Sequence, residues 1–228
     1  MAGVLVLAVF MAVLVFRLGD RGDEWERHGW SPYHIDFVTS LDVVDMSLLE
    51  NSVERDNLVT HVVIHFASDV VVNPDNPFDM EMIHRRFLEY GVSTHYFIDR
   101  NGRIYRSVSE CRVARHTDRG EIYGSPYLTN RINEYSVGIK LLAIGTKEEM
   151  EAYMDGEVWD ELDEDYLGVT DKQYEALNRL LDDIFTRHKA VTPSRRYVIG
   201  HDEYSSDETS PGSLFDWWRL DFVRNLYG

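Results

Sequence analysis

Residues 60–66 read Thr-His-Val-Val-Ile-His-Phe. The run is almost continuously apolar and rich in β-branched residues. That is the pattern of a strand buried on both faces, as in a parallel or mixed sheet. Residues 197–201, Tyr-Val-Ile-Gly-His, repeat the motif near the other end of the chain, and residues 135–142 give a third buried strand. Between them, residues 95–99 and 103–106 alternate as a hairpin, with Asn101-Gly102 supplying the turn. Asn76-Pro77 can start a helix carrying Met80, Ile83 and Phe87 on one face. Thr170 and Gln173 form a capping box. It opens a long helix whose apolar positions are Tyr174, Leu177, Leu181, Ile184 and Phe185. Strands alternating with helices predict an α/β fold with a mixed central β-sheet flanked by helices on both faces. The acidic stretch 148–166 reads as a solvated insertion, and Trp217 and Trp218 read as core.

The chain has 228 residues and a net charge of −17. Phosphate affinity comes from Lys and Arg, so a chain this acidic is not expected to bind nucleic acid. A single cysteine, Cys111, excludes an intrachain disulfide and a thiolate metal cluster. Residues 2–16 are apolar, without charge or proline, and Arg17 ends the run. A helix over residues 1–18 would be about 27 Å long, enough to cross the hydrocarbon layer. The expected organisation is a transmembrane anchor or signal segment at 1–18, a linker and packing segment at 19–57, and the α/β domain at 58–228. The domain is expected to be monomeric.

Two of the nine histidines, His65 and His201, close buried strands. Functional groups in open α/β sheets gather at strand ends. Two imidazoles meeting there can hold Zn2+ if a third ligand completes the set. A single strand-end histidine is more often a hydrogen-bonded structural residue, so the pattern leaves both readings open.

Five blocks resemble the type-2 amidase family, which includes N-acetylmuramoyl-L-alanine amidases and peptidoglycan recognition proteins. They are HVVIHFAS (61–68), VSTHYFIDRNGRIYRSVSE (92–110), VARHT (113–117), NEYSVGIKLLAIG (133–145) and YVIGHDEY…TSPGSLFDW (197–217). They stand in family order and cover about Thr60 to Trp217. The resemblance implies a zinc hydrolase that cuts the amide between muramic acid and L-alanine, with peptidoglycan or a muropeptide as partner. It makes His65 and His201 zinc ligands, Ser210 the occupant of the third-ligand position, His116 a neighbour of the metal and His95 a supporting residue. The implied location is extracytoplasmic, anchored in the membrane or secreted to the wall.

Three positions depart from the family pattern. Ser210 stands where Asp or Cys ligates, and a neutral hydroxyl is a poor zinc ligand. Lys140 replaces the Glu that shuttles protons, and Thr94 stands where some members carry Tyr instead. Glu208 replaces a Lys two residues before the third ligand. If Lys140 and Glu208 face each other, a charge pair survives with reversed polarity. Asp202, Asp207 or Glu208 could supply the missing carboxylate. The expectations are therefore an active zinc amidase built on His65, His116 and His201, or a catalytically impaired pseudo-amidase that binds peptidoglycan fragments because Ser210, Lys140 and Glu208 replace the usual ligand, proton shuttle and Lys; the candidate catalytic positions are His116, Lys140 and Glu208. A structural module without a glycan ligand ranks last.

Overall fold

A computed structural model describes residues 39–227, apart from residues 48 and 155. The apolar run at 1–18 lies outside the described residues, as does most of the 19–57 segment. Among the described residues, no helix is long and apolar enough to cross a membrane.

The strands are β1 (Val44–Asp45), β2 (Ser52–Glu54), β3 (His61–Ala67), β4 (Tyr96–Ile98), β5 (Ile104–Arg106), β6 (Arg112–Ala114), β7 (Ser136–Leu142) and β8 (Val198–Gly200). Six of them form one sheet in the order β1-β5-β4-β7-β3-β8, and β2 pairs with β6 in a separate ribbon. β3 lies between β7 and β8 and is parallel to both, which explains why residues 62–64 are apolar on both faces. β4 and β5 are the antiparallel hairpin. The Asp99 carboxylate accepts the amides of Asn101 and Arg103 across its turn. Gly102 has φ 78°, and a Cβ there would stand 2.5 Å from the Lys172 carbonyl oxygen, so only glycine fits.

The helices are α1 (Met80–Glu89), α2 (Lys147–Met150), α3 (Gly156–Asp160), α4 (Asp171–Arg187) and α5 (Asp221–Tyr227). Both halves of the Thr170–Gln173 capping box form at the start of α4. Tyr174, Leu177, Leu180, Leu181 and Ile184 then pack on Val62, Ile64, Tyr96, Ile139, Leu141 and Val198. Each such aliphatic side chain contributes about 1.5–3 kcal/mol by leaving water. On the opposite face, Ile83 and Phe87 of α1 pack on Phe97 and Leu142. The sheet is therefore mixed and covered on both sides, as the periodicity predicts. Strand side chains alternate faces. With Ile64, Ile139 and Leu141 turned to α4, His65 and Lys140 must point to the other side.

Local expectations are corrected at three places. α1 begins at Met80 rather than at Pro77, because the Asp79 side chain accepts the Met82 amide and caps the first turn. The 148–166 stretch is not wholly solvated. Met150 and Met154 are buried in a satellite cluster with Val70 and Ile144, while Glu148, Glu151, Asp160, Glu161, Asp163, Glu164 and Asp165 are exposed. Trp218 is 60% exposed, whereas Trp217 is half-buried, with the Arg195 guanidinium 3.1 Å from its ring centroid. A short 3-10 turn at Trp217–Arg219 directs the two neighbouring rings differently.

Candidate active site

His65 and Lys140 are register partners on the parallel strands β3 and β7. Their side chains emerge side by side on the face away from α4. β8 ends at Gly200, and the next residue, His201, donates its amide to the Ile64 carbonyl, which locks it beside the end of β3. His116 follows β6 by two residues. These elements bring the three rings together: the centroid of His65 lies 4.6 Å from that of His201 and 5.3 Å from that of His116.

Hydrogen bonds fix the proton positions in this cluster, as assigned from the network. The Ser136 hydroxyl donates to the Ile132 carbonyl at 2.7 Å, so its oxygen accepts from His116 Nε2 at 3.0 Å. A neutral His116 then has a lone pair on Nδ1, and His65 Nε2 donates to it at 3.2 Å. His65 Nδ1 is left with a lone pair, buried and without a hydrogen-bond partner. His201 Nε2 is also buried without a partner, while His201 Nδ1 lies 3.5 Å from Glu208 Oε2. Burial holds His65 and His116 well below the usual imidazole range, with Lys140 adding to it in both, and brings His201 down to about 3. The rings are therefore neutral at physiological pH, the form that ligates metals. Gly138 makes room for His116: a Cβ there would lie 2.5 Å from the ring. His95 stands behind, with Nδ1 accepting the Gly138 amide at 3.0 Å.

The pocket above these rings is lined by His116, His201, Lys140, Asp118, Glu208 and Ser210, with Phe66, Phe87, Met150 and Tyr153 as apolar wall. The exposed Arg115 also lines it. Lys140 is buried, its ammonium 5.3 Å from the Phe87 ring centroid. Burial lowers the Lys140 ammonium from the ordinary lysine range, against the attraction of Glu208. Burial raises the Glu208 carboxyl, Lys140 opposes the rise, and Asp118 adds to it. Lys140 and Glu208 thus attract each other across one pocket, the reversed charge pair that their substitution suggests.

Six residues singled out in the sequence, His65, His116, Lys140, His201, Glu208 and Ser210, gather here, with His65 beneath the lining, whereas the alternative carboxylates Asp202 and Asp207 do not line the pocket. Ser210 is buried, and its carbonyl accepts the Asp202 amide at 2.8 Å. Thr94 is fully buried and donates its hydroxyl to the Gly138 carbonyl at 2.9 Å, so it braces β7. Sequence reasoning does not place Asp118, Met150 or Tyr153 in the site. Asp118 lies two residues beyond His116, but a lone acidic loop residue gives no signal in a chain this acidic. The donor chemistry suits a divalent metal: His65 offers an unpartnered buried nitrogen, and donor atoms of Asp118, His201 and Glu208 lie within 4.8 Å of one another.

The family model described as N-acetylmuramoyl-L-alanine amidase matches residues 55–213, well over half of the chain. The chain belongs to the N-acetylmuramoyl-L-alanine amidase family. It is 29% identical over 141 residues to the 1,6-anhydro-N-acetylmuramyl-L-alanine amidase AmpD of Haemophilus influenzae, covering 60% of this chain and 62% of that one. It is 30% identical over 130 residues to AmpD of Citrobacter freundii, covering 57% of this chain and 55% of the relative. The chain thus spans less than two thirds of the length of these curated relatives. The fold matches a crystal structure of a selenomethionine AmpD derivative with a TM-score of 0.55 at 22% identity, over 81% of this chain and 95% of the other. It also matches the amidase AmiD from E. coli in complex with anhydro-N-acetylmuramic acid-L-Ala-D-gamma-Glu-L-Lys, with a TM-score of 0.54 at 22% identity, over 77% and 61% of the two chains. The family's amidase fold is the one described above.

Proposed function

We propose that this chain hydrolyses the amide between N-acetylmuramic acid and L-alanine in peptidoglycan or its muropeptide fragments. The observation that carries the reading is the meeting of His65, His116 and His201 under a pocket that also holds Lys140 and Glu208. Family membership supports it, and so does the muramyl peptide bound by the similarly folded AmiD. The apolar run at residues 1–18 supports an extracytoplasmic location, with the domain tethered to the membrane or released toward the wall.

His65 and His201 are the nitrogens that would hold Zn2+. When bound, the metal supplies Lewis acidity toward the amide carbonyl and the attacking water. The other steps fall to the chain's own side chains. His116, fixed by Ser136, orients His65 through their shared hydrogen bond. Lys140, in the position of the family's proton carrier, accepts a proton from the attacking water as a neutral amine. As an ammonium it then returns the proton to the departing alanine nitrogen. Glu208 sets the balance between these two forms by its charge. The apolar wall of Phe66, Phe87 and Met150 limits water around the reacting amide.

A second reading is a pseudo-amidase that binds muropeptides without cutting them. Ser210 favours it, because the family's anionic third ligand is missing there. One experiment separates the two. Purified sacculi are incubated with the zinc-loaded protein, and the supernatant is assayed for stem peptides while the pellet is assayed for bound protein. Peptide release that disappears in His65→Ala and His201→Ala supports hydrolysis. Pelleting without release supports the binding reading.

A further inference from the structure

The third-ligand position, Ser210, carries a neutral hydroxyl, yet two carboxylates stand in the same pocket. The Glu208 carboxylate lies 3.5 Å from His201 Nδ1. Two donors bound to one zinc at about 2.0–2.2 Å in tetrahedral geometry are separated by roughly that distance. Asp118 completes the group, its carboxylate within 4.8 Å of the donor atoms of both His201 and Glu208. A further unpartnered nitrogen adjoins this group on the side of His201. His65 is fully buried, its ring is 4.6 Å from that of His201, and its Nδ1 has no partner. A buried nitrogen without a partner is unfavourable unless a ligand takes it up.

We propose that Glu208, assisted by Asp118, replaces Ser210 as the anionic donor to a divalent cation held by His65 and His201. This deepens the amidase reading and rests on it for the role of the two histidines. The ligand set has moved along the loop: the carboxylate comes from two residues before the usual position and from the segment after His116. Glu208 then has two competing cations, the metal and the Lys140 ammonium. Lys140 serves as the resident counter-charge of the metal-free pocket and yields the carboxylate when a metal arrives. That explains why a lysine and a glutamate are exchanged together in this chain: the glutamate restores the charge that Ser210 lacks, and the lysine neutralises it in the free protein.

The test measures Zn2+ binding to the full chain after chelation, by isothermal titration and by the zinc-induced rise in Tm, without any activity assay. Glu208→Gln is expected to weaken zinc binding by about 10-fold or more, and Asp118→Asn to weaken it by a smaller factor. Ser210→Ala should bind as the wild type does. Lys140→Met should bind more tightly, because the competing cation is gone. The zinc-free Tm of each variant separates loss of binding from loss of fold. The proposal is overturned if Glu208→Gln retains wild-type affinity, if Ser210→Ala loses as much as Glu208→Gln, or if the wild type takes up no zinc. Zinc uptake with this mutational pattern but no cleavage of sacculi would sink the amidase reading and leave the ligand assignment standing.

Discussion

His65 donates from Nε2 to His116 Nδ1 at 3.2 Å, and this bond decides which nitrogen of His65 remains available. The decision originates one step away. Ser136 gives its only proton to the Ile132 carbonyl and can therefore only accept from His116. A backbone carbonyl thus sets, through one hydroxyl and one imidazole, the tautomer of a ring on β3.

Replacing Ser136 by alanine removes that instruction. His116 can then flip its tautomer and compete with His65 for a proton. The expected outcome is a loss of about 10-fold or more in zinc affinity, with a stability cost of about 1 kcal/mol. Titration calorimetry and urea unfolding read the two effects separately. Unchanged zinc affinity would contradict the proposed relay.

Gly138→Ala places a methyl group 2.5 Å from the His116 ring. The backbone of β7 is paired on both sides and cannot retreat, so the ring must move. Overpacking of this kind costs about 1–3 kcal/mol. A lowered Tm together with lost peptide release from sacculi is expected. A variant with wild-type release would show that His116 is not held where it is needed.

Outside the pocket lining, Glu110 is buried among Arg187, His188 and the Tyr96 hydroxyl, which donates at 2.5 Å. Burial alone would raise its carboxyl, but the His188 and Arg187 donors outweigh burial and bring it down to about 2. A carboxyl whose folded value is depressed stabilises the fold above its unfolded value, here about 4.5. That stability is lost as pH falls from about 4.5 toward 2. Urea unfolding between about pH 6 and pH 2 should show this slope. Glu110→Gln should flatten it while costing about 3–5 kcal/mol at neutral pH, since it leaves Arg187 with a poorer partner. An equal slope in the variant would assign acid sensitivity to other groups.

Thr170→Ala breaks the capping box at the start of α4. The expected cost is about 1 kcal/mol by chemical denaturation, with peptide release unchanged, because α4 covers the sheet face opposite the pocket.

The sheet is legible in the sequence because its signals are local. Buried strands at 60–66 and 135–142 declare themselves by composition, Asn101-Gly102 by turn chemistry, and Thr170 with Gln173 by spacing. Gln173 shows the limit of such signals. Besides capping α4, its amide donates to the carbonyls of Ile98 and Leu142, a bridge between the helix and the ends of β4 and β7 that no spacing encodes. The candidate site is legible only in part for the same reason. His201 follows the end of β8, whereas β3 runs two residues past His65, which the sequence places at the strand's end; resemblance draws His116, Lys140, Glu208 and Ser210 to them. Asp118 reaches the pocket through a loop, and Met150 and Tyr153 reach it from a stretch whose charges mask its two buried methionines. Which carboxylate faces His201 depends on the path of the 201–211 loop, and that path is set by contacts distant in sequence.

Amidase activity is tested most directly by cleavage of a defined N-acetylmuramoyl-peptide by the zinc-loaded chain, followed by mass spectrometry. Two products are expected, free N-acetylmuramic acid and a peptide with an L-alanine amino terminus, and neither product with His65→Ala or His201→Ala. An intact substrate after prolonged incubation with protein shown to contain zinc, or equal cleavage by the histidine variants, would contradict the amidase reading.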